Sequence, residues 1–218
     1  MPASTRALLF DLDGTLLDTA PDMIAAANAL RADAGLDALP LARLRPFVSR
    51  GGRALLGVAF AHLGEAEREA LLQPFLDCYR QHIAVATRPF DGVLDLMSIC
   101  RAQGIELGIV TNKPGWLTDA VLHALDLHRE FDAIVSGDTL VEKKPHPAPV
   151  LHALKRLAVP PAQAWMFGDD RRDIEAGRAA GTRTAVAAFG YIDAGDDVQA
   201  WGADVVVRSA HELIAYLD

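Results

Sequence analysis

The stretch Ala7-Leu8-Leu9-Phe10-Asp11-Leu12-Asp13-Gly14-Thr15-Leu16 decides how the rest of this 218-residue chain is interpreted. A short apolar run closed by turn residues predicts a strand that is buried on both faces of a sheet. Asp11 and Asp13 are two positions apart, so on an extended backbone their side chains would leave on the same side. Close carboxylates need a cation to hold them, and hard oxygen ligands suit Mg²⁺. We therefore expect a Mg²⁺ site at the end of this strand.

A helical segment follows this strand. From Thr19 to about Ile83 apolar residues recur with a helical period, and the segment contains no convincing strand. Thr19-Ala20-Pro21-Asp22 predicts the first helix start, with a hydroxyl cap, an early proline and a carboxylate. We expect residues 18–87 to form a small helical domain inserted between core segments 1–17 and 88–218.

The remainder of the chain alternates strands with helices, which predicts an α/β fold with a doubly wound parallel sheet. Strands are expected at 105–110, 133–137, 164–167, 184–187 and 204–207. In open α/β sheets, ligands bind beyond the carboxyl ends of the strands. The polar residues after successive strands are therefore expected to form one site: Asp11, Asp13, Thr111, Asn112, Lys144, Asp169, Asp170 and Asp173.

Four motifs of the chain resemble those of the haloacid dehalogenase-like (HAD) hydrolases. They are Phe10-Asp11-Leu12-Asp13-Gly14-Thr15-Leu16, Thr111, Lys144 in Lys144-Pro145-His146-Pro147, and Gly168-Asp169 with Asp173. The resemblance implies a Rossmann-like core and a helical cap over the site. It also implies that Asp11 is a nucleophile that becomes phosphorylated and that Asp13 is a general acid/base. A carboxylate can attack phosphorus, and a second carboxyl can protonate the leaving alkoxide.

The remaining site residues have chemistry that suits phosphoryl transfer. Thr111, through its hydroxyl, and Asn112, through its side-chain amide or backbone N–H, suit a phosphoryl oxygen, and Lys144 supplies a fixed positive charge. The resemblance implies that Asp11, Asp169 and the backbone carbonyl of Asp13 bind Mg²⁺. Two further carboxylates, Asp170 and Asp173, are expected behind these ligands, where Asp173 would hold the loop or Lys144.

The resemblance covers nearly the whole chain and implies a phosphatase that acts on a small phosphorylated metabolite. It extends to the phosphoglycolate phosphatase-like branch. A sister group that dephosphorylates N-acetylmuramic acid 6-phosphate shares Phe90-Asp91-Gly92 and Gly190-Tyr191-Ile192, so both substrates stay open. A phosphomutase and a non-enzymatic phospho-receiver domain are the remote alternatives. A dehalogenase is disfavoured because halide leaves without a proton, which leaves Asp13 without a role.

The segment Ser49-Arg50-Gly51-Gly52-Arg53 is the candidate for substrate selection. Its glycines break the helical pattern and allow close approach to a ligand. Arg50 and Arg53 could clamp the carboxylate that both proposed substrates carry, with Gly51 beside it. The alternative is that these arginines lie on a solvated helix end.

The composition of the chain limits the kinds of partner that it can bind. The net charge of −8 and the pI near 5.3 argue against nucleic acid and anionic membrane surfaces. Cys78 and Cys100 are expected to be buried free thiols of a reducing compartment. The sequence shows neither a signal peptide nor a run of about 20 apolar residues, so we expect a cytoplasmic protein, monomeric or homodimeric.

Overall fold

The computed structural model describes residues 4–217, and this part of the chain contains a six-stranded parallel sheet. The sheet order is β5-β4-β1-β6-β7-β8, with β1 at the centre between β4 and β6, so the predicted α/β fold is confirmed. The strands are β1 (Ala7–Phe10), β2 (Leu17–Asp18), β3 (Arg88–Pro89), β4 (Glu106–Val110), β5 (Ala133–Val135), β6 (Ala164–Gly168), β7 (Arg183–Ala187) and β8 (Val205–Val207).

Helices cover both faces of the sheet and also form the inserted segment. On β1, Leu8 and Phe10 belong to the hydrophobic cluster shared with the helices Val93–Ala102, Gly115–Ala124 and Ala210–Ile214, whereas Ala7 and Leu9 pack with the helices Ala148–Leu157 and Arg171–Ala180. This alternation explains why the whole strand is apolar. The helices are α1 (Ala20–Asp33), α2 (Leu41–Leu44), α3 (Gly52–Ala59), α4 (Glu65–Ala70), α5 (Leu72–Gln81), α6 (Val93–Ala102), α7 (Gly115–Ala124), α8 (Ala148–Leu157), α9 (Arg171–Ala180) and α10 (Ala210–Ile214).

Helices α1 to α5 form the inserted segment, which we call the cap. The chain leaves the core through β2 and returns through β3, and these two strands pair antiparallel. The cap has a hydrophobic cluster that includes Leu56 and Phe75. This arrangement supports the boundaries 18–87, which stay a prediction.

The start of α1 differs from its expected capping. The Thr19 hydroxyl makes no cap bond and instead donates to Asp13 Oδ1 at 2.6 Å. The backbone of Thr19 is helical (φ −90°, ψ −6°) and not extended as in a capping residue, so its side-chain oxygen is not placed to accept from the first N–H groups of α1. Asp22 accepts from the backbone N–H groups of Ala86 and Thr87, and so ties α1 to the segment that returns to the core.

Cys78 and Cys100 are both free thiols; Cys100 is buried, while Cys78 is only partly so. Within residues 4–217, each helix is too short or too polar to cross a bilayer.

Candidate active site

Three buried carboxylates meet at the carboxyl ends of β1 and β6. Asp11 directly follows β1, Asp169 directly follows β6, and Asp173 lies in the first turn of α9. One oxygen from each lies within 4.8 Å of the others. Burial raises the pKa of Asp169 well above its ordinary value, and the charges of Asp11 and Asp173 add to this effect. Burial also raises the pKa of Asp173, to about 7. Such a crowded set of oxygen donors fits a hard cation such as Mg²⁺.

Lys144 is the buried cation that faces this cluster. Its Nζ lies 2.7 Å from Asp11 Oδ1 and 2.6 Å from Asp173 Oδ1, and it also donates to the Val110 carbonyl at 2.5 Å. Burial opposes the charge, but the two carboxylates outweigh it and raise the pKa of Lys144. Lys144 therefore supplies a fixed positive charge beside Asp11.

The Asn112 side chain has a structural role that the sequence did not predict. Its amide Nδ2 donates to the Lys144 carbonyl at 2.9 Å, and its Oδ1 accepts from the Lys144 N–H at 3.0 Å. The amide thus holds the lysine loop with its oxygen and one N–H, and a contact of the second N–H with a phosphoryl oxygen stays a prediction. The backbone N–H of Asn112 stays a candidate. The neighbouring Thr111 hydroxyl accepts from the Lys113 N–H at 3.1 Å, so its proton can be donated.

Asp13 directs its carboxylate towards Lys113. The lysine Nζ lies 2.9 and 3.1 Å from the two oxygens and 4.6 Å from the centre of the Tyr79 ring. Burial disfavours the charged form of Lys113, but the nearby carboxylate of Asp13 outweighs this effect and raises the pKa of the lysine. In sequence Lys113 resembles an exposed lysine in a turn, and only its position just beyond β4 could have marked it.

Asp169 is held by groups from three separate segments. Thr15 Oγ1 donates to Oδ1 at 3.1 Å, while the Tyr191 N–H and the Ser49 hydroxyl both donate to Oδ2 at 2.8 Å. A Cβ at Gly14 would overlap the same carboxylate. Glycine is therefore required there for close approach.

Asp170 and Asp173 differ in their roles. Asp170 caps α9 through the Arg172 N–H at 2.9 Å and accepts Arg172 Nε and Nη2 at 2.8 Å each. Burial alone would raise the pKa of Asp170, but Arg172 lowers it. Asp173 Oδ2 accepts the Asp170 N–H at 3.1 Å while its Oδ1 faces Lys144. Asp173 therefore contacts both the loop and the lysine.

A cavity of about 280 Å³ lies between this cluster and the cap. It is lined by the predicted residues of the core except Asp169 and by those of the cap loop, and apolar cap side chains complete its wall. The core side includes Asp11, Asp13, Thr111, Asn112, Lys144, Asp170 and Asp173, and the cap side includes Arg50, Gly51, Arg53, Val48, Leu72, Leu76 and Tyr79.

Arg50 and Arg53, the two arginines of the cap loop that was predicted to select the substrate, both have acidic partners. Arg53 donates to the two Glu69 oxygens at 2.8 and 2.6 Å on the exposed side of the cap. Arg50 lies 3.9 Å from Asp193 and 3.5 Å from Asp196 of the core. A ligand carboxylate would have to compete with these pairs, so the two alternatives for the arginines stay open.

Comparison with known proteins gives a consistent set of relatives. Residues 8–187 match the family model described as haloacid dehalogenase-like hydrolase. A phosphoglycolate phosphatase of Xanthomonas campestris pv. campestris is 47% identical over 208 residues, which cover 95% of this chain and 94% of that protein. An N-acetylmuramic acid 6-phosphate phosphatase of Pseudomonas aeruginosa is 44% identical over 214 residues, which cover 98% and 95%.

Solved structures show the same architecture. A predicted phosphoglycolate phosphatase from Haemophilus somnus aligns with a TM-score of 0.88 at 24% identity over 99% of each chain. CbbY from Rhodobacter sphaeroides, in complex with phosphate, aligns with a TM-score of 0.75 at 27% identity over 96% of each chain.

Proposed function

Because this chain belongs to the haloacid dehalogenase-like hydrolases, we propose that it is a phosphatase that hydrolyses a small phosphate monoester through a phosphoaspartate. The observation that carries the proposal is the position of Asp11. Its carboxylate faces Lys144 at 2.7 Å and lines the cavity beneath the cap. A carboxylate beside a fixed cation at the floor of a cavity is suited to attack phosphorus.

The reaction has two steps on this arrangement. Asp11 attacks phosphorus, the ester P–O bond breaks, and Asp13 gives a proton to the leaving alkoxide. Water then attacks phosphorus, Asp13 takes up the proton of that water, the bond between phosphorus and the Asp11 oxygen breaks, and phosphate leaves. Lys113 and Thr19 hold the carboxylate of Asp13 in place.

Phosphoryl oxygens would be held by the Thr111 hydroxyl, the Asn112 backbone N–H and Lys144. Mg²⁺ would be held by Asp11, Asp169 and the backbone carbonyl of Asp13, and would neutralise charge on the transferring phosphoryl group. The Asp13 carbonyl lies 3.0 Å from the Ser49 hydroxyl, which in turn lies 2.8 Å from Asp169, so the two ligand groups are neighbours.

Phosphoglycolate is the first candidate substrate, since it is small and carries a carboxylate for Arg50, Gly51 and Arg53. N-acetylmuramic acid 6-phosphate is the second candidate. The apolar cap wall, which includes Leu72 and Leu76, favours it, because a sugar with lactyl and acetyl methyl groups could contact these side chains. We keep the cytoplasmic location, the monomer or homodimer state and the absence of nucleic-acid and membrane partners as predictions.

A phosphate-release screen over metabolite phosphates with Mg²⁺ tests the proposal. We expect turnover of phosphoglycolate or N-acetylmuramic acid 6-phosphate, and at most a few percent of that turnover with an Asp11→Asn preparation. An isomerised product without free phosphate would indicate a mutase. A single stable phosphorylation without turnover would indicate a receiver domain. Either result would contradict the phosphatase assignment.

A further inference from the structure

Ser49 brings the cap into direct contact with two oxygen atoms of the candidate cation site. Its hydroxyl lies 2.8 Å from Asp169 Oδ2 and 3.0 Å from the backbone carbonyl oxygen of Asp13. Ser49 belongs to the cap loop that precedes α3, whereas both oxygens belong to the core. The cap therefore touches the carboxylate cluster itself as well as the cavity above it.

The position of Ser49 is fixed from both sides. On the core side, its backbone carbonyl accepts from Arg172 Nη2 at 2.7 Å. That guanidinium is anchored on Asp170, the neighbour of Asp169. On the cap side, Val48 is buried in the cap's hydrophobic cluster. The hydroxyl can therefore reach Asp169 only while the cap is docked on the core.

The hydroxyl has one proton for two acceptors. If a cation takes the carbonyl oxygen of Asp13, the proton goes to Asp169 Oδ2. There it joins the Tyr191 N–H, also 2.8 Å away, in fixing the orientation of the carboxylate. Groups that orient a ligand in this way strengthen its hold on a cation.

We propose that Ser49 is a positioning residue through which closure of the cap strengthens Mg²⁺ binding at Asp11 and Asp169. This rests on the proposed function, which supplies the Mg²⁺. Since such coupling is reciprocal, Mg²⁺ binding also favours the docked cap. The cation site is then complete only when the cavity is closed.

Mg²⁺ titration by calorimetry without substrate tests the proposal on the full chain. We expect Ser49→Ala to weaken Mg²⁺ binding by about 10- to 100-fold, the usual loss when a group that orients a ligand is removed. Ser49→Thr keeps the hydroxyl and should recover most of the affinity. Arg172→Gln releases the Ser49 carbonyl and should weaken binding in the same direction. Ser98→Ala is the matched control, because Ser98 is exposed on α6, and it should bind as the wild type does.

Hydrogen exchange of residues 45–51 is the second readout. Mg²⁺ should slow exchange there in the wild type and much less in Ser49→Ala. Unchanged Mg²⁺ affinity and unchanged Mg²⁺-dependent protection in Ser49→Ala would overturn the inference, even if that variant melted earlier, and would leave the phosphatase proposal intact. A wild type that neither binds Mg²⁺ nor releases phosphate would overturn both.

Discussion

Lys113 and Asp13 form an ion pair at the floor of the cavity, with the ammonium nitrogen 2.9 and 3.1 Å from the two carboxylate oxygens. The side chains are only 4% and 13% exposed, and the ring of Tyr79 from α5 covers the ammonium. The pair thus joins the loop after β4, the loop after β1 and the cap. It fixes the candidate acid/base group in one place.

Loss of this pair should destabilise the protein. Lys113→Met leaves the charge of Asp13 largely buried without its partner, and removing one member of a buried pair costs about 3–5 kcal/mol. Urea unfolding measures the loss. The double variant Lys113→Met/Asp13→Asn should lose less than the sum of the single changes, and exposed Lys143→Met should stay within about 0.5 kcal/mol of the wild type. Additive losses in the double variant would contradict a direct pair.

Replacement of Asp11, the proposed nucleophile, should abolish nearly all turnover without unfolding the chain. In Asp11→Asn, Lys144 keeps Asp173 at 2.6 Å, so its charge stays compensated. An amide is a poor nucleophile towards phosphorus, and we expect at most a few percent of the wild-type kcat. Asp119→Asn, on the exposed side of α7, is the control and should be fully active. Greater residual turnover would require a different attacking group.

Gly14 and Gly35 both have a positive φ, and a comparison of their alanine variants distinguishes the effect of backbone strain from the effect of crowding at the site. Gly14 (φ +93°) and Gly35 (φ +70°) should each cost about 1–2 kcal/mol when changed to alanine. A Cβ at Gly14 would overlap Asp169, whereas a Cβ at Gly35 would meet nothing within 4 Å. Only Gly14→Ala should therefore also weaken Mg²⁺ binding and turnover. Phosphatase assays and Mg²⁺ titrations measure turnover and Mg²⁺ affinity, and equal losses in the two variants would contradict this prediction.

Truncation of Arg50 or Arg53 should lower kcat/KM selectively for substrates that carry a carboxylate. A charge-assisted bond of about 1.5–3 kcal/mol implies a roughly ten- to hundredfold loss of kcat/KM when the right arginine is truncated. Arg50→Gln and Arg53→Gln, assayed separately, show which one carries the role. Hydrolysis of p-nitrophenyl phosphate, which lacks a carboxylate, should barely change. Equal losses on both substrates would indicate damage to the phosphoryl site or to the cap.

Stability of the metal-free protein should fall as the pH rises. Burial raises the pKa of Asp173 to about 7 and that of Asp169 well above its usual range, from about 3.9 in an unfolded chain. The folded state therefore binds protons more tightly, so this contribution is present below about pH 4 and is lost as the pH rises through about 7. We expect a lower Tm at pH 8 than at pH 5.5 in chelator. Added Mg²⁺ should raise the Tm more at pH 8 than at pH 5.5. An equal rise at both pH values would contradict a role of the buried carboxylates in binding Mg²⁺.

Local patterns in the sequence were enough to predict the architecture, because the spacing of apolar residues over a short stretch indicates whether that stretch is a helix or a strand. The apolar run before Asp11 predicted β1, and alternating strands and helices predicted the parallel sheet. That topology also predicted that residues beyond β1, β4 and β6 would gather at one edge, as Asp11, Thr111 and Asp169 do.

Contacts between distant segments were decided by the tertiary structure. The Thr19 hydroxyl donates to Asp13, and the Asn112 amide makes two hydrogen bonds with the Lys144 backbone, and both partners are positioned by the fold. Ser49 and Asp169 are 120 positions apart, and their contact exists only because the cap docks on the core. A hydrogen bond depends on distance and direction in space, and sequence separation carries neither. The sequence by itself therefore determined the fold and the types of residue at the floor of the cavity. Packing of the cap on the core determined which cap side chains cover that cavity.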